Sequence, residues 1–142
     1  WGRLKGRGSG PTIMLAGHLD TVGVGGYDEP FDPVIKDGCI YGRGSCDMKA
    51  GLAAYLEVVR HLQRTGTSLS GDLIIAGVID EEHAMAGSRD FGLNGPKVDY
   101  AIVAEPTLLQ ISTAHKGQML STIRTKGLAA HSSMPDKGRN AI

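Results

Sequence analysis

The chain has 142 residues, which as a prior corresponds to about one domain. Fifteen Lys and Arg balance fifteen Asp and Glu, so charge gives no argument for nucleic acid or an anionic membrane surface as partner. The longest apolar run, residues 73–79, is far short of the ~20 residues a membrane helix needs, and two cysteines, Cys39 and Cys46, are too few for a disulfide framework, so a reducing, cytoplasmic setting is expected.

Residues 11–17 (PTIMLAG) are continuously apolar, the pattern of a strand buried on both faces. A glycine-rich loop occupies 23–33. Residues 34–36 and 39–41 flank Asp37-Gly38 and predict a hairpin with a tight turn. From Met48 the apolar residues Met48, Leu52, Tyr55, Leu56, Val59 and Leu62 recur at helical steps, and Thr65-Gly66 marks the stop. Asp47 stands just before this run, in an N-cap position. Residues 72–79 and 99–104 predict two more buried strands, with a short helical stretch over 87–93 between them. Strand, helix and strand in this order predict an α/β domain: a largely parallel sheet with helices on its faces. After Ile111 the character changes. Residues 117–126 alternate Met119, Ser121 and Ile123 with polar side chains, which predicts a strand with one wet face in a different sheet. A boundary near Ser112 then separates 1–111 from 112–142.

Four acidic or imidazole groups carry the chemistry: His18-Leu19-Asp20, Asp47, Asp80-Glu81-Glu82 and Glu105. Three directly follow a predicted strand and the fourth opens a helix. Sites in open α/β sheets form beyond the carboxyl ends of the strands, so the topology gathers these residues at one edge. Each has a plainer reading: a chance His-x-Asp, a helix cap, a solvated acidic turn, a strand ended by Pro106. All four plain readings together require independent accidents on one side of the sheet. Asp20 is two residues from His18 and is placed to orient its imidazole. Imidazole with carboxylates suits zinc, cobalt or manganese, and a carboxylate able to bridge suggests a two-metal site. Cys46 reads as a small buried residue, His61 and His83 as exposed, and His115 and Lys116 as polar connectors. The Gly42-Arg43-Gly44 turn lacks the Lys-Ser/Thr of a phosphate loop.

These stretches resemble the co-catalytic zinc hydrolases that include acetylornithine deacetylase, succinyl-diaminopimelate desuccinylase, aminoacylase and carboxypeptidase G. The resemblance rests on His18-Leu19-Asp20-Thr21-Val22, Tyr41-Gly42-Arg43-Gly44-Ser45-Cys46-Asp47-Met48-Lys49, Asp80-Glu81-Glu82, Ala104-Glu105-Pro106-Thr107 and Ala130-His131-Ser132-Ser133, in the family's order. It implies two divalent metal ions, zinc foremost. His18 and Glu105 would hold one, Glu82 the other, and Asp47 would bridge them. It implies Glu81 as general base, Asp20 as the residue steadying His18, His131 as an oxyanion donor to a partner subunit's site, and a cis Asp47–Met48 peptide. Spacing alone leaves open which of Glu81 and Glu82 is base and which is ligand.

The resemblance further implies amide hydrolysis of a small N-acyl amino acid or peptide by a homodimer. The wording is nearest the deacetylase and desuccinylase branch. A metallo-carboxypeptidase or dipeptidase with the same metal core is the alternative, and a non-catalytic metal-binding module is the alternative of another class. The family's second metal-binding histidine and most of its inserted α+β lid have no counterpart here. The sequence is therefore expected to be partial, its catalytic domain incomplete over 1–111, its lid begun over 112–142, and the piece inactive alone.

Overall fold

The computed structural model describes residues 1–117 and 119–142. They divide into two compact units, Trp1–Ile111 and Ser112–Ile142.

The first unit is α/β, built on a four-stranded sheet centred on β2 (Ile13–His18). β2 pairs in parallel with β5 (Leu73–Val78) on one side and with β6 (Tyr100–Val103) on the other. β1 (Gly2–Leu4) closes the β5 edge in antiparallel register; three residues are too few for a periodic signal, and the sequence pattern misses it. β3 (Val34–Lys36) and β4 (Cys39–Tyr41) form a separate hairpin. Its turn residues Asp37 and Gly38 both take positive φ, 52° and 76°, as a two-residue hairpin turn requires.

Apolar runs in β2 and β5 become the core because both strands are interior to the sheet. Leu15, Leu73 and the ring of Tyr55 form its centre, with Ile74 fully buried beside them. β6 departs from expectation: every residue is exposed, since it is an edge strand among the described residues and nothing there covers it.

α1 (Ala50–Thr65) lays Leu52, Val59 and Leu62 against this core. Leu56, expected on the same stripe, is more than half exposed, so the buried stripe is narrower than the pattern. Gly66 ends the helix at φ 64°, its N–H donating to the Leu62 and Gln63 carbonyls. Met48 is not part of α1. It belongs to a turn over Ser45–Lys49, where Asp47 (φ −110°, ψ 102°) and Met48 (φ −128°, ψ 30°) are non-helical and their peptide is cis. The N-cap position of α1 is Lys49, without a side-chain cap, so Asp47 is not the cap its position suggests. Gly51 permits the close approach that seats α1: a Cβ there would lie 2.4 Å from that of Ala104. α2 (Ala86–Asn94) follows the turn after β5.

In the second unit the described residues show one isolated bridge, Leu128 to Arg139, and a single 3₁₀ turn, Pro135–Lys137. The strand expected over 117–126 does not form among the described residues, and Gln118 lies outside them. A strand exists only by pairing. Met119 and Ile123 have the right alternation but no partner, and both are 88% exposed. Among the described residues, no helix is long and apolar enough to cross a membrane.

Candidate metal centre

Register explains how residues far apart in sequence meet. His18, the last residue of β2, is level with Val78 of β5, and Ala16 is level with Val103 of β6. Two residues beyond each neighbour come Asp80 and Glu105, so all three strands deliver acids or imidazole to one sheet edge. The Ser45–Lys49 turn brings Asp47 to the same place.

His18 is 1% exposed and held at three points. Its N–H donates to the Met48 sulfur at 3.1 Å, its Nδ1 is 2.9 Å from the Asp20 main-chain oxygen, and its Nε2 is 3.1 Å from Asp47 Oδ1. A carbonyl oxygen only accepts, so the ring proton sits on Nδ1. Nε2 then turns its lone pair toward Asp47 Oδ1, Glu105 Oε1 at 3.8 Å and Glu81 Oε2 at 4.0 Å. Acceptor faces acceptors, an arrangement that calls for a proton or a cation between them.

Two sets of ligand atoms lie within 4.8 Å of one another: His18, Asp47 and Glu105, and His18, Glu81 and Glu82. His18 is common to both. Burial lowers the His18 pKa, but the hydrogen bonds to Asp47 and the Asp20 carbonyl, with the Glu105 and Asp47 charges, leave it above its ordinary value. The Glu105 carboxyl is pushed up by burial, the Asp47 and Glu81 charges and a hydrogen bond with Asp47, against the pull of His18. The crowding is what a cation would relieve. The donor set, one imidazole with several carboxylates, fits a divalent ion of the zinc, cobalt or manganese kind.

The steadying contact expected from the Asp20 carboxylate comes from its main chain instead, because Oδ1 remains 3.6 Å from His18 Nδ1 and makes no hydrogen bond. Oδ2 accepts the Glu82 N–H at 3.1 Å, tying the β2 loop to the acidic turn. Burial raises the Asp20 pKa, but N–H groups of Glu82, Glu81 and Asp20 and the nearby His18 outweigh it and hold the carboxyl below the usual range.

His131 lies in the second unit, exposed, with Nδ1 2.9 Å from Ser133 Oγ and accepting the Ser133 N–H at 3.3 Å. Cys46 is exposed, contrary to expectation, since the Ser45–Lys49 turn buries Met48 in its stead; Cys39 is exposed too, and both are free. His61, His83 and His115 are exposed as read. The sequence reading missed three supporting residues. Met48 offers its sulfur to His18, Lys49 donates from Nζ to the Leu19 carbonyl at 2.8 Å, and Asp80 accepts the Ala86 N–H at 3.2 Å. Their only linear signal is adjacency to Asp47 and Glu81.

Residues 14–126 match the family model described as Peptidase family M20/M25/M40. Over 137 residues the chain is 41% identical to an acetylornithine deacetylase of Proteus mirabilis (strain HI4320) and 42% identical to one of Yersinia pseudotuberculosis serotype O:1b (strain IP 31758). Each alignment covers 92% of this chain and 34% of the relative, so the chain spans about a third of the length of these curated relatives. Its fold is similar to that of a tripeptidase from Staphylococcus aureus subsp. aureus Mu50, with a TM-score of 0.64 and 21% identity, covering 96% of this chain and 37% of that one.

Proposed function

This chain belongs to peptidase family M20/M25/M40, and on that premise we propose that it supplies most of the metal-binding and catalytic residues of a hydrolase that deacylates an N-acyl amino acid. The observation that carries the reading is the convergence of the Asp47, Glu81 and Glu105 carboxylates on the lone pair of His18 Nε2. Identity above 40% to acetylornithine deacetylases supports a small acylated amino acid as substrate. Because the chain spans a third of those relatives, the activity is assigned to the complete gene product that contains it, within a reducing cytoplasm to which two free cysteines are suited.

His18, Asp47 and Glu105 would hold one divalent ion and Glu82 would contribute to a second, with Asp47 between them. The chemistry such ions supply when bound is Lewis acidity, which polarises an amide carbonyl and makes water easier to deprotonate. The chain's own groups do the rest. Glu81 stands beside the ligand set, its side chain one-third exposed, where a carboxylate can take a proton from attacking water and return it to the leaving amine. Main-chain Asp20 keeps the proton of His18 on Nδ1 and so keeps Nε2 available. In the second unit, which we assign as the start of a lid and dimerisation domain, the Ser133 N–H directed at His131 Nδ1 leaves a proton on Nε2. That is the tautomer needed to donate to an oxyanion, which we place in a partner subunit's site.

The test is hydrolysis by the complete product, stripped of metal and reloaded with zinc, cobalt or manganese. N-acetylornithine and a dipeptide are offered in parallel. Metal-dependent release of acetate from the first supports the proposal. Preference for the dipeptide replaces it with a dipeptidase, and metal binding without turnover of either leaves a binding module.

A further inference from the structure

The acidic turn after β5 has a feature that the ligand scheme does not use. Asp80 takes φ 62°, a left-handed conformation that Asp and Asn tolerate better than other side-chain-bearing residues. In that conformation its carbonyl oxygen accepts the N–H groups of both Ala84 and Met85. Its carboxylate reaches further round: Oδ2 accepts the N–H of Ala86, the first residue of α2, at 3.2 Å, and Oδ1 is 3.5 Å from His83 Nδ1. The N-cap residue of α2, Met85, makes no side-chain cap of its own, so a residue six positions upstream performs that task. The five residues in between, 81–85, form a ring closed at Asp80, and Glu81 and Glu82 are its first two members. On the other side, Asp20 Oδ2 accepts the Glu82 N–H. The turn is held from both sides, by Asp20 at Glu82 and by Asp80 at the start of α2.

We propose that Asp80 is a positioning residue for the metal centre: its left-handed backbone and its carboxylate together close the 81–85 ring, and that closure sets where the Glu81 and Glu82 carboxylates sit relative to His18. It makes no contact with the ligand atoms itself. The inference rests on the proposed function, in which Glu82 is a ligand and Glu81 a base.

Three substitutions separate its parts. Asp80→Asn keeps a residue that accepts the left-handed conformation and an amide oxygen able to accept the Ala86 N–H. Asp80→Gly keeps the backbone conformation and loses the acceptor. Asp80→Ala loses both. Zinc is titrated into the metal-free complete protein against a chromophoric chelator, with folding followed by circular dichroism. The Asn variant should bind zinc as the parent does. The Gly variant should lose about 10–100-fold in affinity for the ion held by Glu82, the usual scale for partners that orient a ligand, and the Ala variant at least as much, while the His18–Asp47–Glu105 ion is retained. Parent-like binding in the Gly variant overturns the role of the carboxylate. An Asn variant as weak as Ala overturns the hydrogen-bond argument, and affinity lost only in step with unfolding reduces Asp80 to a fold residue. Amide hydrogen exchange over residues 81–86 in the metal-free protein reads the ring directly, and should quicken in Gly and Ala but not in Asn. A parent protein that binds no zinc sinks the proposed function, while the exchange pattern still decides whether Asp80 closes the ring.

Discussion

Nε2 of His18 and Oδ1 of Asp47 lie 3.1 Å apart, although 29 residues separate them in the chain. The contact joins the end of β2 to the turn that precedes α1. Met48, next to Asp47, binds the same histidine through its main-chain N–H. Asp47 is therefore set by both neighbours at once, its carboxylate on the imidazole and its following side chain buried beneath the strand.

If that pair holds metal, His18→Ala and Asp47→Ala in the complete protein should each lose at least one equivalent of zinc after dialysis against buffer, measured by atomic emission. Glu57→Ala, on the exposed face of α1, is the control and should keep the parent content. Full zinc content in both site variants would remove the basis for the metal reading.

Glu81→Gln is expected to lower turnover by roughly 10²–10⁴-fold, the usual contribution of a general base. Metal content should stay at the parent level, because the residues proposed as ligands remain. Parent-like turnover at full metal loading would show that Glu81 takes no proton in the slow step.

Two helical glycines should respond in opposite directions. At Gly51 a methyl group would meet Ala104 Cβ at 2.4 Å, so Gly51→Ala forces α1 away from the end of β6, next to Glu105. Overpacking of this kind costs about 1–3 kcal/mol. Gly92, inside α2, has nothing within 4 Å of an added Cβ, and Gly92→Ala should stabilise by about 0.5–1 kcal/mol through backbone entropy alone. Urea denaturation of both variants measures the signs. Equal signs would mean that the Gly51 contact does not shape the packing.

Subunit mixing tests His131. Complete His131→Ala and complete Glu81→Gln proteins are each expected to be nearly inactive, since one oxyanion donor is worth about 2.7–4 kcal/mol. After exchange, a mixed dimer should regain one working site from the intact base of one chain and the intact histidine of the other. Activity that stays at the level of the separate mutants, despite exchange proven by differential labelling, excludes action in trans.

Much of the site was legible in the chain because it lies where hydrophobic runs stop. Residues 13–18, 73–78 and 100–103 had to be strands, being short, apolar and rich in branched side chains, and whatever followed them had to emerge at one edge of a parallel sheet. His18, the Asp80-Glu81-Glu82 run and Glu105 follow from that alone. The hairpin was equally plain, since Asp37-Gly38 satisfies its turn locally.

What needed tertiary structure was everything decided by a distant partner. Asp47 occupies the position of a helix cap, and only the burial of Met48 under β2 shows it turned instead toward His18. Asp20 has the spacing to steady the imidazole with its carboxylate, yet its carbonyl lies nearer and its carboxylate is taken by the Glu82 N–H. Residues 117–126 alternate like a strand, but alternation sets only which face is apolar, and a strand forms only where another chain segment offers its hydrogen bonds. Periodicity is a local property and can be read in one dimension. Pairing, capping and ligand geometry depend on what arrives from elsewhere, and those were decided by the fold.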